Sequence, residues 1–200
     1  MLAACGKAEQ PPPAAASAAK PAPAEAMAQS PVAAPSAKAG PRIDKPGEVL
    51  VNPDFEDAST DGSIPGWTGS QHAGPPSYAL SIDSTGAYAG HGSFHMVRTA
   101  VNTYGSLTQM IDAAKFAGKT VELSAMLKTK GVGPKGWLLL INAGVPGAIR
   151  NSPALTGDKD WQRVSVQMPI PKDARWLTIG VTLRDAGEGW MDNVELKTLD

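Results

Sequence analysis

The residues of this sequence that are best suited to chemistry are its histidines, carboxylates and tryptophans. His91 and His95 are four residues apart, but the second lies in a segment that alternates like a β-strand, so the pair does not share a helical face as zinc ligands would. His72 lies in the Gly-Pro loop HAGPP. The sequence has no G-x-S-x-G segment and no P-loop, and its one cysteine, Cys5, lies outside the part expected to fold. These patterns predict a protein that is not an enzyme.

Tryptophans offer a different chemistry, because the flat indole can stack against the C–H face of a sugar ring. Trp137 lies in GWLLLIN, which is apolar on both sides, and is the best predicted stacking platform; the alternative is a place in the core. Trp176 has the outward phase of the threonines that follow it and is a second ligand-binding candidate. Trp67, Trp161 and Trp190 are expected to pack inside the fold or at its edges.

Sugar hydroxyls also need polar partners. If a glycan cleft exists on a concave sheet, we expect these partners at outward positions of neighbouring strands. The candidates are Arg98, Gln109, Glu122, Asn142, Thr182 and Arg184. Taken one at a time, each of these side chains is more typical of an ordinary solvated sheet surface.

The elements that must position these side chains are short β-strands separated by Gly, Pro, Asn and Asp. The predicted strands span 47–51, 77–83, 93–99, 105–111, 119–129, 136–142, 161–168, 175–184 and 189–197. Residues 112–117 predict one helical turn, ended by Gly118. Alternation predicts that Val121, Leu123, Ala125 and Leu127 face inward, as do Leu177, Ile179, Val181 and Leu183. This pattern predicts an all-β antiparallel sandwich or barrel.

The beginning of the chain has a different composition. Residues 6–45 are mostly Ala, Pro, Ser and Gln, so this stretch cannot bury enough apolar surface to offset its conformational entropy. Its repeated prolines would also break an Ala-rich helix. We predict a disordered tether over 6–45, which reaches on the order of 100 Å if it extends at ~3.1 Å per residue. One folded domain is expected over 46–200.

Charge and hydropathy exclude several classes of protein. The net charge of −1 and the even spread of the 18 Lys and Arg argue against a nucleic-acid partner, which needs a basic patch. No apolar run reaches about 18 residues, so no membrane span is predicted. A single cysteine cannot form an internal disulfide. A chain of this size and composition can bury one hydrophobic core.

The start of the chain reads LAAC at residues 2–5. These residues resemble the lipobox of bacterial lipoproteins, in which signal peptidase cuts before the cysteine and acyl chains are then attached to it. The resemblance implies that Cys5 is a lipidation site and that 1–5 is the remainder of a lipoprotein signal. Gly6, rather than Asp, after the cysteine implies the outer membrane. The alternative is a chance free thiol.

Seven further segments carry a second resemblance. They are LVNPDFE at 50–56, PGW at 65–67, YAGHGSF at 88–94, LTQMI at 107–111, FAGKTVELSAMLKT at 116–129, DWQRVSV at 160–166 and WMDNVEL at 190–196. In this order they resemble the galactose-binding-like jelly rolls, which include many bacterial carbohydrate-binding modules. The resemblance implies two antiparallel sheets face to face, with the N- and C-terminal strands adjacent. The same fold also hosts protein-interaction and structural domains.

The resemblance also implies a metal site. In carbohydrate-binding jelly rolls, the Glu after the early Phe and the Asp of the last strand often bind calcium together with backbone carbonyls. Glu56 and Asp192 match these positions, and Asp83 in the turn SIDSTGAYAG is a third candidate ligand. The alternative is that the same acids cap a loop or form a surface salt link. A structural Ca²⁺ is therefore the one cofactor that we expect.

Two functions of different classes follow. The first is a membrane-anchored, non-catalytic carbohydrate-binding lipoprotein of the bacterial envelope, which holds a glycan or polysaccharide. The second is a structural or protein-interaction lipoprotein that uses the same sheet face to dock an envelope protein. In both cases we expect an outer membrane location, on its periplasmic or surface face, with contact to the membrane through the lipid anchor alone.

Overall fold

The computed structural model of the protein describes residues 49–57 and 61–199. Cys5 and the predicted tether at 6–45 lie outside the described residues. The strands in the described part are β1 (Thr68–Gln71), β2 (Tyr78–Asp83), β3 (Ser93–Arg98), β4 (Gly105–Asp112), β5 (Thr120–Asn142), β6 (Ile149–Asn151), β7 (Leu155–Pro169), β8 (Trp176–Leu183) and β9 (Glu188–Thr198). They pair antiparallel, which confirms the predicted all-β class. No helix in these ranges has the length and apolar character needed to cross a membrane.

The long strand β5 belongs to two layers. Its residues 120–130 pair with β9 and β7, whereas its residues 137–142 pair with β8 and β6. The first layer has the order β2-β3-β9-β5-β7, and the second has the order β1-β4-β8-β5-β6. Between them, the register of β5 against β7 shifts three times from Leu127 to Trp137. Such irregularities bend a strand, which lets β5 pass from one layer to the other.

The hydrophobic core fills the space between the two layers. The residues predicted to face inward are almost completely buried, and they are Val121, Leu123, Ala125, Leu127, Leu177, Ile179, Val181 and Leu183. Phe94 lies among them, with its ring centroid 5.9 Å from that of Phe55 and 6.2 Å from that of Trp137. Burial contributes about 1.5–3 kcal/mol for each large apolar side chain. The alternation therefore decides which surface of each layer meets the solvent.

Some predicted strand boundaries are wrong. The strands predicted at 119–129 and 136–142 are one strand, because the Gly- and Pro-containing segment between them keeps its pairing through the register shifts. The strands β1 and β6 were not predicted. Both are short and exposed along almost their whole length, so they show no alternation of apolar and polar residues.

The predicted strand at 47–51 is absent from its described part, residues 49–51. The side chain of Gln109 holds this segment instead. The N–H of Val51 donates to Gln109 Oε1 over 2.8 Å, and Gln109 Nε2 donates to the carbonyl oxygen of Val51 over 2.8 Å. One side-chain amide thus replaces the hydrogen bonds that a neighbouring strand would provide.

The predicted turn at 112–117 is present. The N–H of Ala117 donates to the carbonyl oxygen of Ala113 over 2.9 Å, which closes one helix-like turn. Gly118 then adopts a φ of 78°, a conformation that glycine reaches at little cost. This turn leads from β4 in the second layer to β5.

Candidate functional site

One row of side chains crosses four strands on the outer surface of the second layer. Met110 on β4 pairs with Thr178 on β8, Thr178 pairs with Asn142 on β5, and Asn142 pairs with Ile149 on β6. Paired residues on neighbouring strands have Cβ atoms about 4.5–5.5 Å apart, so these side chains form a continuous line. Met110 is 57% exposed and Ile149 is 36% exposed, whereas the two polar members are half-buried.

A second row lies beside the first. Its members are Thr68, Thr108, Gly180, Leu140 and Asn151, each paired with the next. The middle of this row is Gly180, which has no side chain. A Cβ at this position would lie 2.0 Å from the carbonyl oxygen of Leu107, so the neighbouring strand leaves no room for one. Neither row contains a charged side chain. We name the surface formed by these two rows together with Trp176 the open face.

Trp176 begins β8 at one end of the open face. Its side chain is 44% exposed, in agreement with its predicted outward phase. A Cβ on Gly144 would lie 2.5 Å from the indole Nε1, so the glycine lets the indole approach the β5–β6 loop closely. Trp176, Gly144, Arg175 and Asp173 help to line a recess of about 220 Å³. The open face therefore ends in an accessible aromatic ring beside a small recess.

The open face is chemically suited to a flat, neutral, hydroxyl-rich ligand. Trp176 offers a polarisable surface for C–H groups. The Asn142 Nδ2 can donate, whereas its Oδ1 already accepts the N–H of Gly144 over 2.9 Å, and the hydroxyls of Thr108 and Thr178 can donate or accept. Neutral side chains avoid the high cost of removing a charge from water when a ligand covers them.

Three of the predicted ligand-binding residues share this surface of the second layer. They are Asn142, Trp176 and Thr182. A fourth predicted residue, Arg184, lies outside the strand, directly after the end of β8. Thr182 pairs with Ser106 and Leu138 and is 5% exposed, so its hydroxyl is largely covered. Asn142 and Trp176 are thus the predicted residues that remain accessible on the open face itself.

The prediction of Trp137 as a stacking platform is wrong. Its side chain is fully buried, and its indole N–H donates to the carbonyl oxygen of Trp190 over 3.1 Å. The segment GWLLLIN is apolar on both sides because Leu138, which points to the outer surface of the layer, is also only 4% exposed. Gln109 is a second correction. It is 4% exposed and faces inward, where it holds Val51.

Arg98 and Glu122 also lie away from the open face, because both belong to the first layer. The Nε of Arg98 donates to the carbonyl oxygen of Ala100 over 3.0 Å, and its Nη1 lies 3.5 Å from Asp185 Oδ1. Glu122 accepts a hydrogen bond from Gln167 over 2.9 Å. Alternation identifies an outward residue but not the layer to which it belongs, so the sequence could not separate these residues from Asn142.

Sequence reasoning missed Met110 and Ile149. Met110 would have been found from the correct phase of β4, since Leu107, Gln109 and Ile111 face inward and Met110 therefore faces outward. Ile149 lies on β6, whose three residues give no periodic signal.

A separate pair of carboxylates, those of Glu56 and Asp192, holds the loop 88–92. Asp192 Oδ2 accepts hydrogen bonds from the N–H groups of residues 88 and 89, over 3.0 and 3.1 Å. Glu56 Oε1 accepts from the N–H groups of residues 91 and 92, over 2.7 and 3.1 Å. The two acids predicted to bind a metal are therefore brought to one loop.

The electrostatics of this pair are unusual. Asp192 is fully buried. Burial raises the pKa of its carboxyl, and the nearby charge of Glu56 raises that pKa further. The N–H of His91 lowers the pKa of Glu56. In the described part of the chain, no Lys, Arg or His forms an ion pair with either acid. The nearby charge of His91 also lowers the pKa of Glu56, but none of the ion pairs of the described residues neutralises either acid.

Asp83 does not join this pair. Its Oδ1 accepts hydrogen bonds from the N–H and the hydroxyl of Thr85, over 2.8 and 2.7 Å, and its Oδ2 accepts the indole N–H of Trp190 over 2.9 Å. These bonds, that of the Thr85 N–H first, lower the pKa of Asp83 to about 2. Across residues 49–57 and 61–199, no three His, Cys, Asp or Glu side chains are grouped to hold a metal ion. The predicted three-acid site is therefore wrong in including Asp83.

Sequence comparison does not assign this chain to a family. No protein-family model matches the chain. A curated relative, the uncharacterized HTH-type transcriptional regulator YbfP of Bacillus subtilis strain 168, is 26% identical over 135 residues. The match covers 63% of this chain and 45% of that protein, so the chain spans less than half the length of the curated relative.

Comparison with solved structures is more informative about the fold. The enzymatically active domain of tailspike protein 4 from bacteriophage CBA120 superposes with a TM-score of 0.58 and 16% identity, over 76% of this chain and 21% of that one. The tandem CBM22 domains of Paenibacillus barcinonensis Xyn10C give 0.54 and 15%, over 80% and 49%. TmCBM61, in complex with β-1,4-galactotriose, gives 0.51 and 19%, over 75% and 97%. The chain therefore has the jelly-roll β-sandwich fold seen in carbohydrate-binding modules, as the sequence predicted.

Proposed function

We propose that this protein is a non-catalytic carbohydrate-binding protein that holds a polysaccharide on the open face. The observation that carries the proposal is the exposed indole of Trp176 beside the uncharged row that contains the polar side chains of Thr178 and Asn142. Structural neighbours support it, since one is a module in complex with β-1,4-galactotriose and another is a xylan-binding domain.

In the proposed complex, one sugar ring stacks on Trp176. A well-placed aromatic contact contributes about 0.5–1.5 kcal/mol beyond the area that it buries. The next units of the polysaccharide follow the row of Thr178 and Asn142, whose side chains exchange hydrogen bonds with sugar hydroxyls. In this proposal the protein holds a polysaccharide and does not cleave it.

The test is binding of residues 46–200 to a panel of soluble polysaccharides, measured by affinity electrophoresis and then by calorimetry. Trp176→Ala should weaken the interaction at least about tenfold, since it removes the platform. Val101→Ala is the control, because Val101 is 93% exposed and lies outside the open face. An unchanged far-ultraviolet spectrum and melting temperature would show that both variants fold. Equal binding by Trp176→Ala and the unsubstituted protein would contradict the proposal.

We further propose that the protein is an outer membrane lipoprotein, anchored through Cys5 by a tether over 6–45. The support is the order LAAC at residues 2–5 and the Ala- and Pro-rich composition that follows. Mass spectrometry of the mature N-terminus from the native host would test the anchor, with Cys5→Ser as the control. Acyl groups on Cys5, and their loss in the variant, are expected. An unmodified Cys5 on the mature protein would contradict this part of the proposal.

Docking of an envelope protein on the open face is the alternative function. It is favoured by Met110 and Ile149, two large apolar side chains that a sugar does not require. A polar replacement, Met110→Gln, separates the two functions. It should leave polysaccharide binding within about twofold if Trp176 dominates, but it should abolish capture of a protein partner that covers the whole face.

We also propose that Glu56 and Asp192 hold a structural calcium ion. Carboxylate oxygens are suitable calcium ligands, and Asp192 is a buried acid whose oxygens accept hydrogen bonds from backbone N–H groups but form no ion pair among the described residues. Two acids supply only part of the six to eight oxygens that calcium takes, so backbone carbonyls of the neighbouring loops must complete the set. The ion would supply positive charge that ties the loop 88–92 to β9.

A further inference from the structure

The open face ends against two loops that are hydrogen-bonded to each other. The N–H of Gly118 donates to the carbonyl oxygen of Ile170 over 2.9 Å, and the N–H of Ala113 donates to the carbonyl oxygen of Arg175 over 3.1 Å. Trp176 follows directly after the second loop. The loops 113–119 and 170–175 therefore form a single edge beside the predicted platform.

This edge is basic, although the chain as a whole has a net charge of −1. Its charged residues are Lys115, Lys119, Lys172, Arg175, Asp112 and Asp173, all of them exposed. Four cations and two anions give a local charge of +2. Asp112 is already engaged, since its Oδ1 accepts the N–H of Ala114 over 2.8 Å. Among the ion pairs of the described residues, none involves a member of this edge.

One of these cations faces the recess beside the platform. Arg175 and Trp176 both line the recess of about 220 Å³, together with Asp173 and residues 143–145. A guanidinium is the side chain best shaped to bind a carboxylate with two parallel hydrogen bonds. The recess thus combines an aromatic surface for a sugar ring with a donor for an acidic substituent.

Resting on the proposed carbohydrate-binding function, we propose that the open face recognises an acidic polysaccharide that contains hexuronic acid. The uronic acid ring lies on Trp176, and its carboxylate pairs with Arg175. Lys115, Lys119 and Lys172 add an attractive field around the recess, whereas Asp173 opposes it. The neutral rows of the open face receive the rest of the polysaccharide.

The test compares each of two uronic acid polymers, polygalacturonate and alginate, with its own carboxyl-reduced form, which keeps the sugar chain but loses the charge. At least one acidic polymer should bind more tightly than its reduced form, by about two- to fivefold for an exposed ion pair. The difference should shrink in about 0.5 M salt, roughly three times physiological ionic strength, because the added salt shortens the Debye length.

Variants give the direction of the effect. Arg175→Gln should remove the difference between the acidic and reduced forms, and Asp173→Asn should increase it. Lys159→Gln is the matched control, because Lys159 is an exposed cation on β7 in the first layer and its loss should leave the difference unchanged. Equal binding of both forms, or a difference that Arg175→Gln does not alter, would overturn the inference.

The two proposals fail in distinguishable ways. If neutral polysaccharides bind and neither acidic polymer does, the acidic preference is wrong while the carbohydrate-binding function stands. If no polysaccharide of either kind binds, the carbohydrate-binding function is itself wrong, and the acidic preference fails with it.

Discussion

The imidazole of His95 lies flat on the indole of Trp190, with ring centroids 4.3 Å apart and an angle of 10° between the planes. Lys128 Nζ lies 5.3 Å from the centroid of the same indole. Glu188 Oε2 lies 3.1 Å from His95 Nε2, and Asp83 accepts the indole N–H over 2.9 Å. Neighbouring strands on both sides therefore hold this one indole, on the outer surface of the first layer.

Substitutions at Trp190 should separate its packing from its hydrogen bond. Trp190→Phe keeps a ring over His95 but loses the bond to Asp83, and we expect a loss of about 1 kcal/mol in the free energy of unfolding. Trp190→Ala also removes the ring and should cost about 3 kcal/mol. Urea denaturation at neutral pH measures both losses. Equal stabilities for the two variants would mean that the stacked ring contributes nothing.

Asp83 should make stability depend on pH in the acid range. Its pKa is lowered from 3.8 to about 2 by hydrogen bonds to the charged carboxylate. A lowered folded-state pKa gives stability that is present above the unfolded value and is lost as the pH falls through the folded one. The advantage of the unsubstituted protein over Asp83→Asn should therefore shrink between pH 4 and pH 2, both approximate limits set by these pKa values. Urea titrations across this range measure it, and a constant advantage would contradict the assignment.

Gln109 should be important for stability rather than for ligand binding. Gln109→Leu leaves the N–H and the carbonyl of Val51 without their partner, at a cost of about 2 kcal/mol or more in the free energy of unfolding. Gln109→Glu keeps the acceptor for the N–H but places an oxygen against the carbonyl, so it should also destabilise the fold. Binding of polysaccharide by the folded fraction should stay unchanged in both. A variant that folds normally but does not bind would return Gln109 to the list of ligand contacts.

Calcium should raise the melting temperature of the protein, by about 5 °C at a saturating concentration. Asp192→Asn and Glu56→Gln should each abolish this response. Asp192→Asn should itself fold without calcium, since a raised pKa means that the buried site favours a neutral side chain. Without calcium, the unsubstituted protein should gain stability relative to Asp192→Asn as the pH falls through that raised pKa, because the folded state favours the protonated acid. Melting curves that coincide with and without a chelator would exclude the ion.

The fold could be predicted from the sequence because a strand with one buried face alternates apolar and polar residues. This alternation identified the inward-facing residues of β5 and β8, and these residues are almost completely buried. The phase of a strand can be lost at an irregularity, however. Trp190 was expected to pack inside the fold or at its edge, in the same strand phase as Val194, but Asn193 has a φ of 49° and the register against β5 shifts between Ser124 and Met126. One extra residue therefore moves Trp190 to the outer surface.

The candidate site was less predictable, because it depends on which strands are neighbours. Trp176 and Asn142 were found from their outward phase alone. Met110 lies beside Thr178 only because β4 pairs with β8 in this register, and Ile149 joins them through a strand of three residues. Sequence spacing contains none of this information. Trp137 was predicted as a platform for the same reason: the sequence does not show whether an apolar strand is covered on one face or on both.

The strand β5, which serves both layers, has a consequence for how the molecule opens. The same continuous strand forms the sheet hydrogen bonds on both sides of the register shifts. A loss of order around Leu123 would therefore strain the pairing around Leu139. Amide hydrogens at these two positions should exchange with solvent with nearly the same protection factor, although they belong to different layers. The surface proposed to hold a glycan and the loop proposed to hold an ion would then unfold as one cooperative unit.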